Sequence, residues 1–178
     1  MKIAITGHTA GIGQALAEEY LLDGHEIVGL SQREGNNIRN TPKICDQIES
    51  CDVFVNNAQA GYAQTELLFE MVKRWAGTYK HIIVISTMMT QEPISFDSTL
   101  DQYRIQKLAL EEAVQQIRYR RLGIKITLVR PGNIATSPDK TVPPAADVNN
   151  WARTLLDLLD MADRNDLRIP EISLGPIY

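Results

Sequence analysis

The chain has 178 residues, 44% of them hydrophobic and 22% charged, with a formal net charge of −4. That size and balance fit one domain, residues 1–178, around a sizeable core. The acidic surplus argues against nucleic acid or an anionic membrane as a partner, since both want a basic face.

In chain order, the sequence opens on a buried-strand run, Ile3–Thr6, with no charged leader and apolar segment before it, so an unexported, cytoplasmic protein is expected. A helix is predicted over Ile12–Leu22, ended by Gly24, and a second strand over Glu26–Leu30. Asn36–Arg39 reads as a short third strand and Pro42–Glu49 as a short helix. Cys45 and Cys51 lie here without a second cysteine pair or nearby histidine. No metal is expected, and both read as reduced, buried or half-buried thiols.

Asp52–Asn56 is the fourth predicted strand, followed by a helix over Thr65–Ala76. Ile82–Ser86 is a fifth strand, nearly continuous in β-branched residues and so buried on both faces. Leu100–Leu122 is the longest helix, and Arg118, Arg120 and Arg121 at its end read as a solvated terminus suited to the dipole. Lys125–Val129 is the sixth strand. A loop from Asn133 to Ala146 is stiffened by Pro138, Pro143 and Pro144. Asp147 then caps a helix to about Ala162, with Asn150 at the capping-box position, and Arg168–Leu174 is a last strand that Pro170 marks as an edge. Strands alternating with helices imply an α/β, Rossmann-type, doubly wound parallel sheet of about seven strands with helices on both faces.

Chemistry gathers at the strand ends. Thr6-Gly7-His8-Thr9-Ala10-Gly11-Ile12-Gly13 joins the first strand to the first helix. Its glycines allow a tight turn and close approach to a ligand, and the helix N-terminus behind them suits a pyrophosphate. His8 faces either a phosphate or solvent. The second strand ends Leu30-Ser31-Gln32-Arg33, with no carboxylate until Glu34. Ser31 can donate to an adenosine 2′-phosphate and Arg33 can pair with it, which favours NADP(H), with NAD(H) possible.

Tyr103 and Lys107 are four residues apart on the longest helix and share a face. A nearby ammonium lowers the pKa of a phenol, so Tyr103 becomes a candidate acid/base and Lys107 its partner. Ser86 and Thr87 end the fifth strand, where open α/β sheets bind ligands, and either hydroxyl can orient a substrate oxygen.

Together these motifs resemble the short-chain dehydrogenase/reductase family. That family carries T-G-x-x-x-G-x-G at the first turn, N-N-A-G after the fourth strand, Ser at the end of the fifth, Y-x-x-x-K on the next helix, and P-G with a nearby Thr after the sixth. This chain has Thr6–Gly13, Asn56-Asn57-Ala58-Gln59, Ser86-Thr87, Tyr103 with Lys107, and Pro131-Gly132-Asn133-Ile134-Ala135-Thr136. The resemblance implies that Gly7, Gly11, Ile12 and Gly13 line cofactor phosphates. Asn57 and Ala58 border the adenosine and ribose, and Asn37 falls beside the adenine. Pro131, Gly132, Ile134 and Thr136 hold the nicotinamide end, with Lys107 on its ribose. Alignment of the strand favours Thr87 over Ser86 in the place of the catalytic Ser.

There are departures. Gln59 replaces the last Gly of N-N-A-G, and the helix from Thr65 to Ala76 contains no Asn for a proton relay. The segments 40–52 and 60–81, and the loop after Thr136, are shorter than usual in the family. A small lid excludes water poorly. Two readings follow: an NAD(P)(H)-dependent oxidoreductase acting on a small carbonyl or alcohol substrate, or an NAD(P)-binding regulatory or sensor protein with little turnover. Leu67, Phe69, Met71, Trp75, Leu108, Leu110 and Val114 do not all lie on one stripe. With the family's use of these helices, that predicts a homodimer or homotetramer through helices 65–76 and 100–122.

Overall fold

The computed structural model describes residues 1–94, 96–136 and 144–176. Its elements are β1 (Lys2–Thr6), α1 (Gly11–Leu22), β2 (Glu26–Leu30), α2 (Thr41–Ile48), β3 (Val53–Asn56), α3 (Ala63–Trp75), β4 (His81–Ile85), α4 (Ser98–Tyr119), β5 (Lys125–Pro131), β6 (Ile134–Ala135), β7 (Ala146–Asp147), α5 (Val148–Arg164) and β8 (Glu171–Leu174). Six strands form one parallel sheet in the order β2-β1-β3-β4-β5-β8, and β6 and β7 make a separate two-stranded pair. Among the described residues no helix is long and apolar enough to cross a membrane.

The apolar runs of the central strands follow from burial on both faces. In register, Ala4, Phe54, Ile82 and Ile126 form a row across β1, β3, β4 and β5. They pack with Ile44, Leu67, Leu68, Leu110 and Val114 under α2, α3 and α4. One residue along, Ile5, Val55 and Ile83 face the opposite side, against Leu16, Tyr20, Trp151 and Leu155 of α1 and α5. Gly24 has φ +78° just past α1, as its position in the sequence predicts. Asp97 and Asp147 cap α4 and α5, each accepting two backbone N–H groups. Both cysteines are free and buried.

The sheet has six strands rather than about seven, because Asn36–Arg39 is not a strand. The Asn37 side chain accepts the Arg39 N–H at 3.0 Å, and the Asn40 N–H bonds the Asn37 carbonyl at 2.9 Å. These local bonds close a turn where a strand would need extended backbone. Ile38 still enters the core. The last strand is shorter than predicted, beginning only after Pro170, and pairs with β5 alone. Arg118 is tied to β8 by Glu171 at 2.8 Å and is not a solvated helix end. In the loop after β5, Pro144 accepts from the Asn133 side chain at 2.9 Å, while Pro138 and Pro143 lie outside the described residues.

Five of the seven apolar residues singled out on α3 and α4 are buried within this chain: Leu67, Met71, Trp75, Leu110 and Val114. Their pattern exceeds one helical stripe because α3 packs on both α2 and α4 while covering the sheet. Phe69 and Leu108 stay exposed, with Leu100 and Ile105.

Candidate functional site

Parallel strands put the ends of β1, β3, β4 and β5 side by side along one edge of the sheet. The turn after β1 is held by a buried threonine. Thr6 Oγ1 accepts the backbone N–H groups of Asn57 and Ala58, both at 3.0 Å, and Asn57 Nδ2 donates to the Thr6 carbonyl at 2.9 Å. Gly7 and Gly11 have φ of +74° and +54°, open to glycine without strain. A Cβ on Gly13 would stand 2.2 Å from the Gly7 carbonyl oxygen, so only glycine fits. Ala10 at the N-cap of α1 offers no side-chain acceptor, which leaves the helix's first N–H groups to the turn. His8 packs its ring over Gly29 of β2, with Nε2 3.4 Å from Glu34.

Beside this turn lies a cleft of about 480 Å³ lined by Gly7, Ser31, Arg33, Asn37, Ala58 and Gln59, among others. Ser31 Oγ accepts the Arg33 N–H at 3.2 Å and shares a 3.0 Å hydrogen bond with Thr9 Oγ1. Its hydroxyl thus shapes the rim, and the exposed Arg33 supplies the charge there.

Gln59 also lines a second cleft, of about 280 Å³, at the ends of β4 and β5. Ile12, Asn57, Thr87, Tyr103, Lys107, Pro131, Gly132, Ile134 and Thr136 line it as well. The Gln59 side chain donates to Gln106 of α4 at the junction of the two clefts.

In this second cleft the Tyr103 side chain and the Thr87 hydroxyl are neighbours. Burial pushes the phenol above its usual pKa, and the nearby Thr87 hydroxyl offsets this in part. Lys107 Nζ stands 5.6 Å from the centre of the Tyr103 ring. It donates to Gln64 Oε1 and to the Ile85 carbonyl, both at 2.8 Å. Burial lowers the Lys107 ammonium to about 7, and the Glu111 carboxylate opposes that shift. Ser86 lines the cleft too, but its hydroxyl donates to buried Glu111.

Gln64 and Glu111 are absent from the sequence-based site. Gln64 sits in the first turn of α3, ahead of the predicted start at Thr65, and is 2% exposed. Its Nε2 donates to the carbonyls of Asn56 and Ile85 at 2.7 and 3.0 Å. It bonds the lysine where the family's missing Asn raised the question of a relay. The signal was present: Gln64 stands at helical spacing in line with Leu67, Leu68 and Met71, a polar residue in a buried stripe. Glu111 sits likewise with Lys107, Leu110 and Val114.

No protein-family model matches the sequence, and no curated protein does. Solved structures match over nearly the whole chain. Serine dehydrogenase from Escherichia coli superposes with a TM-score of 0.75 at 16% identity, over 99% of this chain and 98% of that one. An alcohol dehydrogenase from the archaeon Thermococcus sibiricus, complexed with 5-hydroxy-NADP, gives 0.73 at 17% identity, over 99% of both chains. A short-chain dehydrogenase/reductase from Vibrio parahaemolyticus gives 0.75 at 19% identity, over 97% and 98%. The fold is therefore the Rossmann-type α/β fold of the short-chain dehydrogenases/reductases.

Proposed function

We propose that the chain is an NAD(P)(H)-dependent oxidoreductase of the short-chain dehydrogenase/reductase family, exchanging hydride with a carbonyl or alcohol carbon of a small molecule. The observation that carries this reading is the convergence of Tyr103, Thr87 and Lys107 on the second cleft, with Lys107 Nζ against the Tyr103 ring. The neighbours' names, serine dehydrogenase and alcohol dehydrogenase, point the same way.

The residues fit a dinucleotide. Gly7, Gly11 and Gly13 leave a cradle that a Cβ would fill, at a helix N-terminus with no side-chain cap. Ser31, Arg33, Asn37, Asn57 and Ala58 would hold the adenosine half. Ile12, Lys107, Pro131, Gly132, Ile134 and Thr136 would hold the nicotinamide half. Arg33, with no carboxylate at the end of β2, favours NADP(H) over NAD(H).

The cofactor, when bound, supplies the hydride. The chain manages the proton. Burial keeps the Tyr103 phenol protonated at neutral pH, the state that gives a proton to a carbonyl oxygen in the reductive direction. Thr87 orients the phenol and presents a second hydroxyl to the same oxygen, and Ser86 anchors the strand end beside it. Lys107 has two of its three donors held by Gln64 and Ile85. Its ammonium offsets the charge on the phenolate left behind, and its third N–H is available to a ribose hydroxyl.

Mixing the protein with NADPH or NADH and a panel of aldehydes and ketones, while following nicotinamide absorbance, tests this reading. Consumption that depends on Tyr103 supports it. One observation favours the sensor reading: Gln59 and Gln106 bridge the junction of the clefts, where bound cofactor must pass. Tight cofactor binding without turnover on any carbonyl would select that alternative. A cytoplasmic location and a homodimer or homotetramer through α3 and α4 complete the proposal, the latter resting on exposed Phe69, Leu100, Ile105 and Leu108.

A further inference from the structure

The buried acid one helical turn beyond Lys107 takes no direct part in the chemistry above. Glu111 is 8% exposed and accepts from four directions. Oε1 takes the Ser86 hydroxyl and lies 2.8 Å from Thr90 Oγ1; Oε2 takes Arg130 Nε and Nη2 at 2.9 and 2.7 Å. Thr90 Oγ1 is also 2.8 Å from the Thr87 carbonyl. Arg130 is itself held by Glu171 at 2.8 Å, and Glu171 by Arg118 at 2.8 Å. A buried ion pair is weak as a device for stability, because well-packed apolar residues often replace it at no loss. This one sits where it ties Ser86 and Thr90, on either side of Thr87 along the chain, to the helix that carries Tyr103 and Lys107.

We propose that Glu111, clamped by Arg130, is a positioning residue of the site: it fixes the end of β4 through Ser86 and Thr90 and is the buried counter-charge one helical turn from Lys107. The proposal rests on the reading of Tyr103 and Lys107 given above. The titratable neighbours of Lys107 are Tyr103 and Glu111 on its own helix; Arg130 of β5 acts through Glu111. From α3 and β4 it meets Gln64 and the Ile85 carbonyl, both uncharged.

The test is NMR titration of protein labelled with ¹³C at lysine Cε, the Lys107 signal being assigned by its loss in Lys107→Arg. Glu111→Gln lowers the Lys107 midpoint by about one pH unit or more, since burial is then unopposed. Glu111→Asp restores part of the shift. Should Glu111→Gln fail to fold, Arg130→Met is compared with the double variant Glu111→Leu/Arg130→Met, whose Lys107 midpoint is the lower of the two because the carboxylate alone differs between them. A midpoint within about 0.3 units of wild type, in a variant that only melts earlier, overturns the proposal. The readout needs no turnover. A shifted midpoint in a protein that reduces nothing supports the coupling while the oxidoreductase reading fails; turnover with an unshifted midpoint does the reverse.

Discussion

Tyr103 on α4 and Thr87 just past the end of β4 line one cleft, and the Thr87 hydroxyl opposes the effect of burial on the phenol. Thr87→Val removes that hydroxyl, and the Tyr103 pKa rises further. Turnover falls about 10²–10³-fold, as when one oriented donor is taken from a site. Ser86→Ala behaves differently: its hydroxyl serves Glu111. The expected result is about 1–2 kcal/mol of stability lost, with a smaller effect on turnover. Steady-state kinetics beside chemical denaturation separates the two variants.

Gly13→Ala tests the cradle. Its Cβ would lie 2.2 Å from a backbone oxygen and 2.6 Å from Asn57 Nδ2. The turn must shift, at a cost of about 1–3 kcal/mol. Nicotinamide affinity measured by calorimetry falls at least tenfold. Gly35→Ala is the control for ligand binding, since a Cβ there meets nothing within 4 Å, although its φ of +81° still strains the backbone.

Arg33→Ala tests cofactor choice. The side chain lines the first cleft and is exposed. Loss of a charge-assisted contact to a 2′-phosphate weakens NADPH binding by about tenfold to hundredfold. NADH affinity stays within about twofold, because NADH lacks that phosphate. Equal losses for both cofactors would contradict the NADP(H) preference.

Stability falls with acid because of His81. Its ring is half-buried with Thr127 Oγ1 at 2.9 Å, and desolvation lowers its pKa from 6.5 to about 3. Above the unfolded value the imidazole is neutral in both states and contributes nothing. Between 6.5 and 3 the unfolded chain takes a proton that the fold refuses, so stability is lost as pH drops. The loss is about 2 kcal/mol by pH 5 and roughly 4–5 kcal/mol near pH 3. In urea titrations from pH 8 to 4, His81→Gln flattens that acid limb.

Much of the fold was legible because its strands are buried on both faces. Val53-Phe54-Val55 and Ile82 to Ile85 are continuous apolar runs that fit few other elements, and glycines and caps mark the ends of α1 and α5. The failure at Asn36–Arg39 is local: two asparagines offered the backbone a turn that outcompeted pairing. In the candidate site, Tyr103 and Lys107 were legible from spacing and from the family resemblance. The partner of each hydroxyl was not. Whether Ser86 or Thr87 meets Tyr103 depends on Glu111, 25 residues after Ser86, and on Arg130 in another strand. The anchoring of Lys107 depends on Gln64, 43 residues before it. Such pairings are set by packing across the sheet, beyond the reach of periodicity.

The most direct measurement compares wild type with Tyr103→Phe for NADPH affinity and for reduction of the best carbonyl in the panel. The account predicts affinity unchanged within about twofold and turnover down by about 10²–10⁴. Failure of the wild-type protein to bind either nicotinamide cofactor, or a phenylalanine variant that reduces the carbonyl as fast as wild type, would contradict it.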